Sequence, residues 1–396
     1  MTSTRYLLLA AAALLSHLAA AQGLVTGKVL DKQTRQPVPY ASVVVAGTTQ
    51  GTTSNAEGEF GLRVARLPAK VLAFSLGYGR DSVTVTAAGP TPPLALEAAP
   101  VALPAVEPAS YAAELLARAY RVLQRTRGQA QYSQAFYRQV TRNGGEPTEV
   151  QEAIWDVKTN SAGLDGSRLA QGRYASRPTL MNFTNFSLYA KAASGFCAIA
   201  AADTADSHAV VSADAGRLFT LQYKGLTQAS GRAVAEIAFT SRPGITAVSG
   251  SIFIDPATYQ VLHARATRPM QVTISKKGYS AKNDQLTEEI DFRPLASGVL
   301  LNYVKVSAAL LISQPRKPDT PLTAEALTYF YDQQPVPTGL PYAGPVGPLS
   351  DLAAIKQKPY DPAFWRDNPV VKRTPLEEEI IKAFEQNKSF GTILTK

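Results

Sequence analysis

Histidine and cysteine, the side chains best suited to nucleophilic and metal chemistry near neutral pH, are few here and far apart. Cys197 is the single cysteine, and beyond the N-terminal leader the histidines are His208 and His263. A zinc site wants three or four such ligands at short, fixed spacings, as in H-E-x-x-H, and no such motif occurs. Cys197 lies in the apolar stretch SGFCAIAA. That setting favours a buried, inert thiol, because a nucleophile needs a base beside it. No G-x-S-x-G elbow and no G-x-x-x-x-G-K-[ST] phosphate loop is present. Carboxylates come in the runs Glu288-Glu289 and Glu377-Glu378-Glu379. Glycoside hydrolysis would need two acids facing across a cleft, whereas these read as solvated strand-end and helix-start positions. No catalytic residue, metal or cofactor is expected on this reading.

Two stretches invite a closer look. In Asn55-Ala56-Glu57-Gly58-Glu59, oxygen-bearing side chains alternate as in a calcium loop. The same residues also spell a tight turn. Gly58 suits a positive φ, Asn55 can close on its own backbone, and Phe60 begins a strand at once. The turn is the expectation. The second stretch, RYASRPTLMNFTNFSLYA, clusters Tyr174, Phe183, Phe186 and Tyr189, and Trp365 stands apart near the C-terminus. Exposed rings can stack on the apolar faces of sugars, but core packing explains the same cluster. These five are the candidate ligand-binding residues.

The elements that must position these groups are mostly strands. Between residues 24 and 97, seven short runs separated by turn residues read as strands, among them EFGLRV, in which Phe60, Leu62 and Val64 alternate with polar or small residues. Such spacing predicts a small β-sandwich. Residues 87–110 are rich in Ala and Pro, and after the last strand the stretch 98–110 reads as a semi-rigid connector. Ala112, Leu115, Leu116, Ala119 and Leu123 then recur at helical spacing, with Ser110 as the expected cap and Gly128 as the stop. Beyond them the period changes to two. Hairpin signals at Asn143-Gly144-Gly145 and Asp255-Pro256-Ala257-Thr258 punctuate a meander to residue 333. One helix followed by successive antiparallel strands predicts a large curved sheet or half-barrel. Residues 334–396 hold Pro- and Gly-rich text and a C-terminal helix. Thr374 and Glu377 form its capping box, Pro375 stands at the first helical position, and Leu376, Ile380, Ile381 and Phe384 make an apolar face. The fold class is therefore mainly β.

The chain has 396 residues, 45% of them hydrophobic, which is ample for buried cores. Its formal net charge is +9. Acidic partners such as lipid headgroups or anionic polysaccharide would suit that balance. The cations are scattered, with adjacent pairs at Lys276-Lys277 and Lys372-Arg373, and no basic run interleaves with aromatics, so nucleic acid is not an expected partner. Residues 1–21 read as a secretory signal peptide: Arg5 precedes the apolar run Tyr6 to Leu15, and Ala19-Ala20-Ala21 precede Gln22. Cleavage would leave no membrane-spanning segment and no cysteine for a lipid anchor. The expected location is the periplasm or the outer membrane, and the protein is not expected to be a lipoprotein.

The stretch GLVTGKVLDKQTRQPVPYASVVVAGTTQGTTSNAEGEFGLRV, followed by LAFSLGYGRDSVTV, resembles the carboxypeptidase regulatory-like domain. This is a transthyretin-like sandwich of exported Gram-negative proteins. The resemblance rests on Gly27-Lys28-Val29 before Asp31, Pro39-Tyr40-Ala41, Gly47-Thr48-Thr49, Gly58-Glu59-Phe60 and Gly77-Tyr78. It implies an appended, non-catalytic module without peptidase activity. Asn55 stands where Asp is common in that family. The hairpin GSIFIDPATYQVLHA is similar to a unit of periplasmic lipid- and lipoprotein-carrier folds. FYRQ, DPAFW and TPLEEEII together resemble exported proteins in which this module precedes an uncharacterised β-rich region. Some of those relatives continue into an outer-membrane barrel, which is not expected here. Three functional readings follow: a non-catalytic envelope binding or scaffolding protein, a carrier of lipid or another apolar ligand, and a hydrolase of glycan or peptide. Partners in the first two would be an envelope protein, a glycan or a lipid.

Overall fold

The computed structural model describes residues 23–99, 109–126, 128–161, 163–191, 209–229, 231–295, 298–332, 341–342, 348–367 and 370–390. The leader at 1–21, most of the 98–110 connector, Cys197, His208 and much of the Pro- and Gly-rich stretch lie outside the described residues.

The N-terminal strands are β1 (Gly23–Asp31), β2 (Ser42–Val45), β3 (Gly51–Thr53), β4 (Glu59–Val64), β5 (Ala69–Phe74), β6 (Arg80–Val85), β7 (Gly89–Pro90) and β8 (Leu94–Leu96). They form two small sheets. One runs β4-β1-β7, with β8 also on β1, and the other runs β3-β2-β5-β6. The alternation in β4 reads out as anticipated: Phe60, Leu62 and Val64 are buried and Arg63 is exposed. They share one core with Val25 and Val29 of the neighbouring strand β1 and with Val43 and Val71 of the other sheet. The eighth piece, β7, is two residues long and lies parallel to β1, an addition to the seven expected strands.

The rest of the chain opens with α1 (Ala109–Thr126), so Ser110 lies in its first turn instead of capping it. Then come β9 (Gln131–Asn143), β10 (Glu146–Asn160), β11 (Gly163–Ser176), α2 (Ser187–Lys191), α3 (Ala215–Leu218), β12 (Phe219–Ala229), β13 (Arg232–Ser241), β14 (Ser249–Ile254), β15 (Val261–Arg268), β16 (Ser280–Leu295), β17 (Gly298–Gln314) and β18 (Lys317–Tyr331). They build one ten-stranded antiparallel sheet in the order β11-β10-β9-β18-β17-β16-β15-β14-β13-β12. The last strand returns to the first, with Leu322 opposite Asn143 and Tyr331 opposite Gln134. The sheet does not close: β11 and β12, neighbours in sequence, are its two edges.

Side chains alternate between the faces, as the pleat requires. On the first face Tyr137, Trp155, Ile237, Ile290 and Leu310 share one core with α1, whose Ala112, Leu115, Leu116, Ala119 and Leu123 are all buried. On the second face sit the β-sandwich and the C-terminal chain. That chain begins beside the first face as α4 (Pro348–Gln357), where Ile355 joins the first core. A Cβ on Gly172 of β11 would come within 3.2 Å of the Ile355 Cα, so glycine lets this helix lie against the edge strand. The chain then passes to the second face as α5 (Pro362–Asp367) and α6 (Pro375–Gln386). The capping box is present: the Glu377 N–H donates to Thr374 Oγ1 at 3.2 Å, and the Thr374 N–H donates to a Glu377 carboxylate oxygen at 2.8 Å. Ile380, Ile381 and Phe384 pack on Val140, Val150 and Ala175, but Leu376 is 49% exposed and lies outside the buried face expected of it.

Candidate binding cleft

Three pieces of chain converge on the second face: the edge strands β3 and β4 of the sandwich, strands β9 to β11 of the large sheet, and the C-terminal stretch from α5 to α6. Each piece is tied to the others by specific bonds. Thr52 Oγ1 donates to the Val370 carbonyl at 3.1 Å, Asn55 Nδ2 donates to the Arg373 carbonyl at 3.3 Å, and Lys372 meets Glu59 at 3.0 Å. Elsewhere the Gly77 N–H donates to the Gln228 carbonyl at 2.8 Å, which fixes the sandwich to strand β12.

Asn55 is committed on all sides. Its Oδ1 accepts the Glu57 and Glu59 N–H groups, each at 2.9 Å, and Gly58 turns the chain at φ 72°. The Asn55–Glu59 motif is thus a turn, and the Asn55 amide reaches across to the C-terminal chain. Among the described residues no group of three or more His, Cys, Asp and Glu side chains is arranged to hold a metal ion.

Two cavities open where the pieces meet. One, of about 490 Å³, is lined by Glu59, Arg138, Glu152, Trp365, Lys372 and Glu378, among others. The second, of about 600 Å³, has Thr52, Leu62, Ile154, Tyr331, Phe364 and Val370 in its wall. Below the first lies a row of charge buried in the sheet. Arg138 on β9, Glu152 on β10 and Arg173 on β11 are direct cross-strand partners. Arg138 Nε donates to Glu152 Oε1 at 2.7 Å and Arg173 Nε to Oε2 at 2.5 Å. Burial alone would push the Glu152 carboxyl up, but the Arg173 and Arg138 guanidiniums outweigh it and hold it at about 2. Glu377 and Glu385 from α6 add the remaining partners, and the Arg173 guanidinium lies 4.7 Å from the ring centroids of Trp365 and Phe390. The row ties α6 to the sheet. Its acid is fully engaged by two arginines, which makes it a poor proton carrier at neutral pH.

A second buried group lies farther along the same face. The register shift between β16 and β17 leaves Asn302 as the extra residue of a bulge. Its amide donates to Asp291 at 2.7 Å and to Ser42 Oγ of the sandwich at 2.9 Å. His263 Nδ1 lies 3.2 Å from Asp291 and Nε2 3.7 Å from Glu289. Burial works to lower the His263 pKa, and the two carboxylates outweigh it, so the value is raised. Ser42, Asn302, Asp291 and His263 form a polar chain, but Asn302 holds the serine away from the imidazole.

Of the aromatic candidates, the structure brings Phe183, Phe186 and Tyr189 together: the Phe183 and Phe186 ring centroids are 5.6 Å apart, and Tyr189 meets Phe186 edge-on at 5.8 Å. Both phenylalanines are buried in the first core. Tyr189 lies under the Arg268 guanidinium. Tyr174 donates to Glu149 at 2.9 Å and carries Lys356 over its ring. Trp365 is on the opposite face, 3% exposed, in the wall of the first cavity. Glu288 departs from the solvated position expected of it: it is 1% exposed on the first face, 3.3 Å from Arg268, and burial pushes its carboxyl up to about 7. Sequence reasoning missed Arg138, Glu152 and Arg173, because in alternating strands a charged position reads as solvent-facing.

Residues 25–102 match the family model of the CarboxypepD_reg-like domain. No curated protein matches the chain. Among solved structures, a LolA-superfamily protein of Nitrosomonas europaea aligns at 11% identity over 57% of this chain and 94% of its own, with a TM-score of 0.19. A candidate membrane-associated protein of unknown function from Bacteroides fragilis aligns at 11% identity over 79% of this chain and 99% of its own, with a TM-score of 0.16.

Proposed function

We propose that this protein is a non-catalytic binding or scaffolding component of the Gram-negative cell envelope, exported to the periplasm or the outer membrane. The carrying observation is the three-way junction on the second face, where the regulatory-like sandwich, the large sheet and the C-terminal chain are bonded together around open clefts. A module appended for regulation or binding is expected to present a surface, and here that surface is continuous with the sheet. The leader-like residues 1–21 support export, and the domain match at residues 25–102 supports a non-enzymatic role for the sandwich. The polar groups at the junction are engaged in pairing: Glu152 by two arginines, Lys372 by Glu59 and Asn55 by its own turn. A hydrolase would keep an acid and a base free toward a cleft.

Carriage of an apolar ligand would use the first face, and there α1, Phe183 and Phe186 already cover the sheet. Mass spectrometry of gently purified protein is therefore expected to show no stoichiometric lipid. The main reading is tested by crosslinking in cells with a photoreactive residue at Arg366 or Arg63, both exposed beside the clefts. Capture of envelope components is the expected result, and capture of cytoplasmic proteins alone would overturn it.

A further inference from the structure

The charge of this protein is not spread evenly over the large sheet. Its ten strands bring two sets of connections to opposite ends. At one end lie segments 142–147, 177–186, 213–218, 242–248, 268–285 and 313–320, which together carry ten Arg and Lys against four Asp and Glu. At the other end lie 128–131, 158–165, 229–232, 254–261, 295–298 and 331–332, with two against three. There the charges pair off, Lys158 with Asp165 at 2.7 Å and Arg232 with Asp255 at 3.5 Å.

The cationic end also carries apolar side chains toward solvent. Leu180 is one of three large hydrophobic residues that are exposed among the described residues. It shares a concave opening of about 460 Å³ with Pro178, Lys276 and Tyr279. Beside it the β15–β16 connection brings Met270, Val272 and Ile274 only partly under cover, and then the exposed pair Lys276-Lys277. The β17–β18 hairpin adds a further adjacent pair, Arg316-Lys317, also exposed. Asp319 is engaged by Lys282 at 3.2 Å, and Asp284 accepts the Val272 N–H at 2.8 Å, so these two acids are already occupied within this end.

We propose that this end of the sheet docks the protein on an anionic lipid bilayer, with the two cation pairs against the headgroups and Leu180 entering the interface. Charge complementarity is joined here to an apolar tip, the two-signal combination that peripheral membrane binding needs. The inference rests on the envelope reading only for its biological setting. Binding to vesicles is measured without cells, so its failure and the failure of that reading are separate results.

The test uses the full chain and vesicles of phosphatidylcholine with or without phosphatidylglycerol, followed by co-sedimentation. Binding is expected only when the anionic lipid is present, and it should fall as salt is raised. The variant K276E/K277E/R316E/K317E is expected to bind at least about tenfold more weakly. The same number of reversals on the sandwich, K32E/R35E/R66E/K70E, is expected to leave binding nearly unchanged. If the glutamate set fails to fold, the milder K276Q/K277Q/R316Q/K317Q and the single L180D each carry the test. Absence of binding, equal losses from both reversal sets, or binding to an anionic polysaccharide but not to vesicles would each overturn the proposal.

Discussion

Arg138 and Glu152 stand directly opposite each other on neighbouring strands, Nε 2.7 Å from Oε1, with side chains only 7% and 1% exposed. With Arg173 on the other side of the same carboxylate, the row is a buried triad whose centre is the acid. Such arrangements are weak sources of net stability while intact and costly when one member is lost, because the survivors keep their charge without a counter-ion.

Glu152→Gln keeps the shape and removes the charge, leaving two guanidiniums facing each other. The expected loss is about 3–5 kcal/mol in urea unfolding at neutral pH. The native protein should show a matching pH effect. The Glu152 carboxyl is held at about 2 in the fold, below its ordinary 4.5, so its contribution is present above pH 4.5 and lost as pH falls toward 2. Stability curves measured between those limits should slope downward with acid in the native protein and less so in the variant.

Glu288 should behave in the opposite sense. Burial raises its carboxyl to about 7 despite Arg268 at 3.3 Å, so the fold favours the protonated form. This contribution is full below pH 4.5, shrinks as pH rises and is gone above about 7. Glu288→Gln is expected to flatten that part of the profile. The gain over the native protein between pH 5 and pH 8 should be on the order of 3 kcal/mol at most, offset in part by the unpaired Arg268. Thermal midpoints across that range decide it, and an unchanged slope would place the titration elsewhere.

How much of this was written in the sequence differs by level. Period-two runs and turn residues gave the strands of β4 and the hairpins at Gly144-Gly145, which have φ of 61° and 89°, and at Asp255, whose Oδ1 accepts the Ala257 N–H at 2.8 Å. Those are local events, decided by neighbours in the chain. The return of β18 to β9 and the seating of the sandwich on the second face are long-range. An alternating pattern says which residues share a face, not what covers it. Arg138, Glu152 and Glu288 therefore read as solvent positions and became buried once α6, the sandwich and α2 were in place. Leu376 failed in the other direction: its spacing fits the apolar stripe, but the helix turns it outward at its first turn.

Gly58 tests the turn at Asn55–Glu59. Its φ of 72° is unfavourable for any residue with a Cβ, and a Cβ there would lie 2.5 Å from the Val29 carbonyl oxygen. That oxygen belongs to backbone paired in β1, so it cannot give way cheaply. Gly58→Ala is expected to lower stability by about 2–4 kcal/mol, combining the conformational penalty with the clash. Calcium is expected to leave the thermal midpoint of both proteins unchanged, since Asn55 Oδ1 already accepts two backbone N–H groups. A calcium-dependent rise in the midpoint would contradict the turn.

Trp365 separates packing from polarity in the C-terminal chain. The ring is buried on the second face with Phe136, Ile154 and Tyr329, and its face carries the Arg173 guanidinium at 4.7 Å. Among the described residues its buried Nε1 has no hydrogen-bond partner, a cost that the wild-type structure carries. Trp365→Ala removes both the packing and the cation–π contact and should cost about 3–5 kcal/mol. It should also release the segment from α5 to α6, so that protease cuts there before the sheet unfolds. Trp365→Phe keeps an aromatic face beneath Arg173 and deletes the orphan N–H, and its cost should stay below about 1.5 kcal/mol. Trp155, the second of the two tryptophans, remains as the fluorescence reporter in both variants. Equal losses from the two substitutions would mean that the indole N–H has a role the packing argument omits.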